Sequence, residues 1–368
     1  MVDHRVLVIG AGIGGLTAAR TLALFGVEVD LVERRTAIGG HAAQLACKAT
    51  DRCVKCGACL VQEALAAVTS HPRITIHAGS RLGNFRRGSQ GFEFTIDRAE
   101  APGSGGSPHA AGTAHAVVLA AGFDVFDPQA KAYGHGTFPN VVTLLELERG
   151  LRAQGRLIRP SDGEPPRRVA FIQCVGSRDA RIGHLWCSRF CCASALRAAR
   201  RIKALRPETE ITVFYIDIQS FGRDFESFYG RCRQELRLVR AIPGEAFEVE
   251  DRGVRLNYTE GPPHPVVEEV FDLVVLSTGM QPPAGLDALA ERLGLAPPAG
   301  GFASGAAVEG IFTAGAVRGP MGIADSVADA RDAAARVLAF LGRNRALPGD
   351  PSAPAGSPCR HRVVPQGA

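Results

Sequence analysis

The feature that most limits how this chain can fold is a glycine-rich turn near its N-terminus. Residues 5–9 are mostly β-branched or leucine, which predicts a strand buried on both faces of a parallel sheet. This strand leads directly into the sequence GAGIGG at residues 10–15, a G-x-G-x-x-G pattern, and a helical pattern and a second strand ending at Glu33 follow. Together these elements predict a dinucleotide-binding βαβ unit with the pyrophosphate at the N-terminus of the helix.

Three further features favour FAD as the dinucleotide. Glu33 is placed to accept hydrogen bonds from a ribose, and glycines just past the second strand are typical of flavoproteins. A long alanine-rich helix begins near Gly322, where its N-terminus can stabilise negative charge on a reduced flavin ring. Ala316 stands where this pattern usually has an acid. The predicted cofactor-binding residues are Gly10, Gly12, Ile13, Gly14, Gly15, Glu33, Arg34, Gly39, Gly40, Gln44, Ala121, Gly122, Gly279, Gly315, Ala316, Gly322, Ile323 and Ala324.

The composition is that of an ordinary soluble globular protein. The 368 residues are 46% hydrophobic and 21% charged, with a formal net charge of +5, and no basic stripe suggests a nucleic-acid partner. The apolar run at residues 6–27 is long enough for a membrane helix. Its glycine pattern and Arg20 favour the nucleotide-binding interpretation, so we expect a cytoplasmic protein without a membrane span.

The order of elements predicts an α/β fold with two dinucleotide-binding domains, as in flavoproteins of the thioredoxin-reductase type. We expect the FAD-binding domain to be split between residues 1–160 and 265–345, with a second α/β unit inserted at 161–264 and a disordered tail at 346–368. The inserted unit contains no second G-x-G-x-x-G sequence. It therefore lacks the usual cradle for the pyrophosphate of NAD(P)H.

The inserted unit instead carries four clustered cysteines, Cys174, Cys187, Cys191 and Cys192, with the spacing C-x12-C-x3-C-C. A helical period follows Cys192, so the vicinal pair lies at or near a helix N-terminus, where the dipole favours thiolates. Four thiolates at this spacing fit a 4Fe-4S cluster. A four-cysteine zinc site and a set of structural or redox-disulfide thiols are the alternatives.

A second group comprises Cys47, Cys53, Cys56 and Cys59, spaced C-x5-C-x2-C-x2-C. Its C-x2-C-x2-C run resembles half of a ferredoxin motif, and Cys47 is then the candidate for the fourth ligand. This group predicts a second cluster. The alternatives are a loop of free thiols and a ligand set that is completed only in a complex with a partner.

Several stretches resemble the A-subunit of heterodisulfide reductase, among them IGGHAAQL, VAFIQCVGSRD, WCSRFCCASAL and GIFTAGAVRGPMGIADSVADA. The resemblance implies that the C-x12-C-x3-C-C group binds a 4Fe-4S cluster near FAD. The short chain is similar to the form found in the heterodisulfide reductase-like complex of sulfur-oxidising prokaryotes. That form works with other subunits on sulfur bound to a carrier such as a lipoate-binding protein.

One position departs from the family pattern. The family often has a lysine near the flavin five residues after the second vicinal cysteine, and this chain has Arg197, which cannot easily give up its proton. Arg197 is therefore a candidate catalytic residue, and an exposed helix arginine is the alternative.

These observations predict an FAD-dependent oxidoreductase that passes electrons between flavin and cluster as one subunit of a complex, and that forms a homodimer. The competing hypotheses are a stand-alone NAD(P)H-dependent disulfide reductase and a non-catalytic scaffold that retains both cofactors.

Overall fold

A computed structural model describes residues 4–50, 53–98, 108–219, 224–296, 299–303 and 308–343, so the predicted tail at 346–368 lies outside the described residues. The strands are β1 (Arg5–Ile9), β2 (Glu28–Glu33), β3 (Ile74–Ala78), β4 (Ser80–Gly88), β5 (Gly91–Arg98), β6 (Pro108–Ala114), β7 (Ala116–Leu119), β8 (Asp124–Val125), β9 (Val141–Thr143), β10 (Arg168–Val175), β11 (Glu210–Phe214), β12 (Arg237–Val239), β13 (Ala246–Glu248), β14 (Val254–Tyr258), β15 (Val267–Phe271), β16 (Leu273–Thr278), β17 (Met280–Gln281) and β18 (Ile311–Thr313). The helices are α1 (Ile13–Leu24), α2 (Ala58–Thr69), α3 (Leu144–Gln154), α4 (Cys191–Leu205), α5 (Phe225–Glu235), α6 (Leu286–Arg292) and α7 (Ile323–Arg343).

The first unit is built on a parallel sheet with the strand order β18-β7-β1-β2-β3. Successive side chains of β1 point to opposite sides of the sheet, and both sides are buried. Val6 and Val8 pack with apolar residues of α1 and α7. Leu7 and Ile9 pack with the antiparallel sheet β4-β5-β6 and with α6 on the other face. The two-sided burial predicted for residues 5–9 is therefore present at residues 6–9, whereas Arg5 is exposed.

The second unit repeats this layering around a parallel sheet with the order β12-β11-β10-β16-β9. Val169 and Phe171 of β10 pack with α3, α4 and α5. Ala170 and Ile172 face the antiparallel sheet β13-β14-β15. The sheet also includes β9 and β16, which lie on either side of the span 161–264 predicted for the inserted unit.

The chain passes between the two units twice, and the two passages pair with each other. Strands β8 and β17 form a short antiparallel ribbon in which Val125 lies opposite Met280. The ribbon joins the carboxyl ends of the two parallel sheets, because β8 follows β7 and β17 follows β16. In open α/β sheets, ligands bind beyond the carboxyl ends of the strands, so this junction is where a site is expected.

Within the described residues, no helix is both long and apolar enough to cross a bilayer. The apolar run at residues 6–27 is divided between β1, the glycine turn and α1.

Candidate functional site

A cavity of about 470 Å³ opens at the junction of the two units. The β1–α1 turn and Glu33 form part of its wall, and residues at or near the starts of α3, α4 and α7 form another part, together with loop residues of both units. Both parallel sheets therefore direct the N-terminal ends of helices toward the same space.

The glycines of the first turn have separate roles in forming this cavity. Gly10 has a φ of +102°, and a Cβ on Gly15 would lie 1.8 Å from the carbonyl oxygen of Gly10. These positions therefore exclude side chains because the turn and the helix pack closely. A Cβ on Gly12 would meet no protein atom within 4 Å. Gly12 thus leaves open space at the N-terminus of α1, as the approach of a pyrophosphate requires.

The carboxylate of Glu33 is fixed at the end of β2. Its side chain accepts hydrogen bonds from the backbone N–H groups of Ala11 at 2.8 Å and Arg35 at 2.9 Å. Arg34 pairs with Asp124 at 2.9 Å. The backbone of the glycine turn and of the residues after β2 therefore fixes the orientation of this carboxylate at the cavity wall.

The start of α7 forms a further part of the wall. Gly322 and Ile323 line the cavity, as does Ala316 on the preceding turn. The backbone N–H of Gly315 donates to Asp329 Oδ2 at 2.7 Å, so an acid on α7 fixes the glycine turn although position 316 has none. The N-terminal N–H groups of α7 thus supply a positive dipole end at the cavity.

Most of the predicted cofactor-binding residues line this cavity. The exceptions are Gly15, Gly39, Gln44 and Gly279. The amide nitrogen of Gln44 instead donates to the carbonyl oxygen of Gly40 at 3.2 Å. A Cβ on Gly279 would lie 2.9 Å from Ser177, so Gly279 packs against the loop that follows Cys174. Gly15, Gly39 and Gly279 therefore lie behind the cavity lining and affect only its shape.

The first cysteine group gathers beside the second sheet. Cys191 and Cys192 are the first two residues of α4 and are 1% and 3% exposed. Burial, together with the nearby thiols of Cys192 and Cys187, raises the pKa of Cys174 to about 12. Cys191 shares a hydrogen bond with Cys192, which raises the pKa of Cys191 and lowers that of Cys192 to about 7. The four thiols are therefore close together, and their neighbours shift the pKa values of Cys174, Cys191 and Cys192.

Backbone groups around these thiols are arranged to hydrogen-bond sulfur. The N–H of Arg189 donates to Cys187 Sγ at 3.3 Å, and a backbone hydrogen bond from Gln219 lowers the pKa of Cys192. Among the described residues, no three His, Cys, Asp or Glu side chains are grouped around the position of a single metal ion. Thiols that accept N–H···S bonds are the donor type that thiolate-ligated clusters use, so a cluster at these four cysteines stays a prediction.

The second cysteine group is more dispersed. Cys56 lines the main cavity, whereas Cys47 lines a second cavity of about 200 Å³ beside Arg152 and Arg201. Cys53 and Cys59 are exposed. The ligand set predicted for a second cluster stays a prediction.

Arg197 lies on the wall of the main cavity and is not an exposed helix arginine. Burial lowers the pKa of its guanidinium, an effect that the nearby cysteines Cys56, Cys232 and Cys53 oppose. Its guanidinium carbon lies 5.7 Å from the centre of the Phe228 ring. Arg197 therefore places a cation on the cavity wall, near Cys53 and Cys56 of the second cysteine group.

The sequence did not indicate a buried ion pair on the same wall. Lys48 and Glu148 both line the cavity, with Lys48 Nζ 2.7 Å from Glu148 Oε1. A signal for Glu148 was present, because it lies within the buried stripe of α3 formed by Leu144, Leu147 and Leu151.

Comparisons with known proteins agree with this geometry. Residues 8–61 match the family model of an NAD(P)-binding Rossmann-like domain. The A-subunit of the H(2):CoB-CoM heterodisulfide,ferredoxin reductase of Methanothermobacter marburgensis is 31% identical over an alignment that covers 91% of this chain and 63% of that protein. The second iron-sulfur A-subunit of the CoB--CoM heterodisulfide reductase of Methanopyrus kandleri is 32% identical, covering 92% of this chain and 65% of that protein.

Among solved structures, T. acidophilum thioredoxin reductase superposes with a TM-score of 0.60 at 15% identity, covering 94% of this chain and 100% of that one. This likeness confirms the predicted fold with two dinucleotide-binding domains. The chain spans less than two thirds of the length of the curated relatives that it matches. Over 91% of its own length, on the fold of thioredoxin reductase, the chain is similar to the A-subunits of heterodisulfide reductase.

Proposed function

We propose that this chain is the FAD- and iron–sulfur-containing electron-transfer subunit of a heterodisulfide reductase-like complex. The observation that carries the proposal is the position of α4. Its first two residues are Cys191 and Cys192, and the residues on either side of this pair, Phe190 and Ala193, line the cavity that begins at the glycine turn. One short segment thus joins a thiol cluster to a dinucleotide cavity.

The cavity residues fit FAD. The open space at Gly12 accommodates a pyrophosphate, and Glu33 is oriented toward a ribose. Bound there, FAD would supply the conversion between two-electron and one-electron chemistry. The N-terminus of α7 provides N–H donors for the ring system, and the apolar side chains of Phe190 and Ile323 help to exclude water from it.

The thiols of Cys174, Cys187, Cys191 and Cys192 would hold the cluster. The burial of the vicinal pair supports this assignment, because thiols at 1% and 3% exposure are poorly reached by solution oxidants but can bind a resident metal group. The second group, with Cys56 on the cavity wall, is the candidate for a second cluster.

The second unit gives little support to the alternative of a stand-alone NAD(P)H-dependent reductase. The strand–helix turn that would cradle the nicotinamide dinucleotide is replaced by residues 176–190, a long loop. Buried cysteines occupy the start of α4, where the phosphates would need free N–H groups. Electrons therefore enter or leave through the cluster and a partner subunit.

Both relatives are subunits of enzymes named for a CoB-CoM heterodisulfide, which suggests a sulfur group as the substrate of the whole complex. The resemblance extends this proposal to sulfur oxidation with a lipoate-type carrier. We also propose a homodimer, which light scattering of the purified protein would detect.

Anaerobic titration tests the proposal. Dithionite is expected to bleach the flavin and to produce the EPR signal of a reduced 4Fe-4S cluster, whereas NADH and NADPH leave both unchanged. Prompt bleaching by NADH or NADPH would support the stand-alone reductase. The absence of any reversible change would indicate a scaffold.

A further inference from the structure

The wall of the main cavity contains an ion pair that is almost completely buried. Lys48 Nζ lies 2.7 Å from Glu148 Oε1, and the two side chains are 2% and 1% exposed. Lys48 Nζ also donates to the carbonyl oxygen of Ala46 at 3.1 Å. The pair joins the segment after the first glycine loops to α3.

Glu148 is held by groups from three parts of the chain. Its Oε2 accepts from the backbone N–H of Ala46 at 3.0 Å, and its Oε1 accepts from Ser194 Oγ on α4 at 3.4 Å as well as from Lys48. The orientation of the carboxylate is therefore fixed, and through it the position of the Lys48 ammonium.

Stability alone is a weak reason for such a pair. Removing two charges from water costs free energy that their attraction often does not recover, and a well-packed apolar pair is commonly at least as stable. A buried pair on the wall of a cofactor cavity therefore points to a role toward the ligand.

The number of N–H donors on Lys48 indicates which member of the ion pair can bind the ligand. An ammonium group has three N–H donors, and the described contacts of Lys48 use two of them, toward Glu148 and Ala46. The remaining donor suits an electron-rich oxygen or nitrogen in the cavity.

The position of the ion pair indicates that Lys48 would contact the flavin ring of FAD rather than its adenosine. Glu33 and the glycine turn lie at the β1–α1 end of the cavity, whereas Lys48 contacts α3 and, through Glu148, Ser194 on the first turn of α4. A dinucleotide with its ribose at Glu33 and its pyrophosphate at Gly12 extends its ring system toward α4.

We propose that Lys48 donates a hydrogen bond to the flavin ring and stabilises the negative charge that reduction adds to it, while Glu148 positions Lys48. This inference rests on the proposed function, because it requires FAD in the main cavity. Lys48 is a cofactor-contacting residue in this account, and Glu148 acts through it.

The test compares the affinity of the apoprotein for oxidised and for reduced FAD. The double variant Lys48→Met/Glu148→Gln removes both charges, so no uncompensated charge is left buried. We expect it to weaken binding of reduced FAD about ten-fold more than binding of oxidised FAD, which corresponds to a potential about 30 mV more negative for a two-electron couple.

A second variant is expected to act in the opposite direction. Glu148→Gln alone keeps the ammonium and removes its neutralising partner, so reduced FAD should bind more tightly relative to oxidised FAD. Lys203→Met is the matched control on α4, because Lys203 bonds the backbone of Pro207 and Thr209 and does not line the cavity. It should leave both affinities unchanged.

Each outcome decides between these roles. Shifts of opposite sign in the two variants support the inference, and a shift in either folded variant suffices if the other does not fold. An equal loss of affinity for both redox states would show that the pair only shapes the wall, and would overturn it. A wild-type apoprotein that binds FAD in neither state would overturn the proposed function, and this inference with it.

Discussion

The two α/β units of this protein have the same strand–helix plan but differ in the turn between strand and helix. In the first unit, β1 ends in glycines that allow close packing and leave open space at the start of α1. In the second, β10 ends near Cys174 and α4 begins with Cys191 and Cys192. The scaffold is common to both, and the residues of the turn select the ligand.

The difference also concerns burial. The glycine turn offers backbone N–H groups to a ligand that enters from outside. The start of α4 offers thiols at 1% and 3% exposure, which suit a group that is installed once and retained. Variants of the two turns should therefore have separable effects on flavin and on iron.

The largest effect is expected at Gly15. In Gly15→Ala the new Cβ would lie only 1.8 Å from the carbonyl oxygen of Gly10, so the two atoms would overlap. We expect a loss of about 4 kcal/mol or more in the free energy of unfolding, measured by denaturant titration.

Gly12→Ala is the matched control for Gly15→Ala. Its Cβ enters open space, so the apoprotein should lose about 1 kcal/mol or less, while affinity for FAD falls ten-fold or more. A Gly12→Ala protein with unchanged FAD affinity would contradict the position assigned to the pyrophosphate.

The next effect concerns iron. Cys191→Ser/Cys192→Ser should lose about four irons per chain relative to the wild type and keep its flavin, because only the second turn is altered. Iron and flavin are measured on anaerobically purified protein. Simultaneous loss of both at unchanged thermal stability would mean that the two turns form one inseparable site.

A smaller effect is expected at Arg197, where the cavity meets the second cysteine group. Arg197→Ala removes a half-buried cation from the wall and should weaken binding of reduced FAD about three- to ten-fold, whereas Arg197→Lys should recover most of it. Flavin titration in both redox states measures the difference. Equal affinities in all three proteins would restrict Arg197 to packing against Phe228.

The smallest effect is expected at Cys232. Burial raises the pKa of this thiol to about 12, so it stays protonated, and therefore weakly nucleophilic, from pH 6 to pH 10. Cys232→Ala should retain iron and flavin and lose about 1 kcal/mol of stability. Alkylation of Cys232 in the native protein at pH 8 would contradict the burial.

Much of the first unit could be predicted from sequence, because local rules are sufficient there. Residues 5–9 and the glycines are constrained by two-sided burial and by close packing, both of which are visible in residue type. The helix starting at Ile323 was similarly predictable from its glycine boundary and alanine-rich period.

The second unit was harder to delimit. Strands β9 and β16 have the same apolar composition whichever sheet they join, so only tertiary pairing places them beside β10. Lys48 was not identified because a lysine in a loop usually lies in water, and its burial depends on Glu148, about a hundred residues away in the chain. Long-range partners of this kind have no local signature.

The metal and flavin content of anaerobically purified wild-type protein tests the central claim most directly. We predict one FAD per chain together with acid-labile sulfide and about four irons, or about eight if the second cysteine group is also filled. A chain that carries FAD with no iron, or that holds zinc in place of iron and sulfide, would contradict the account.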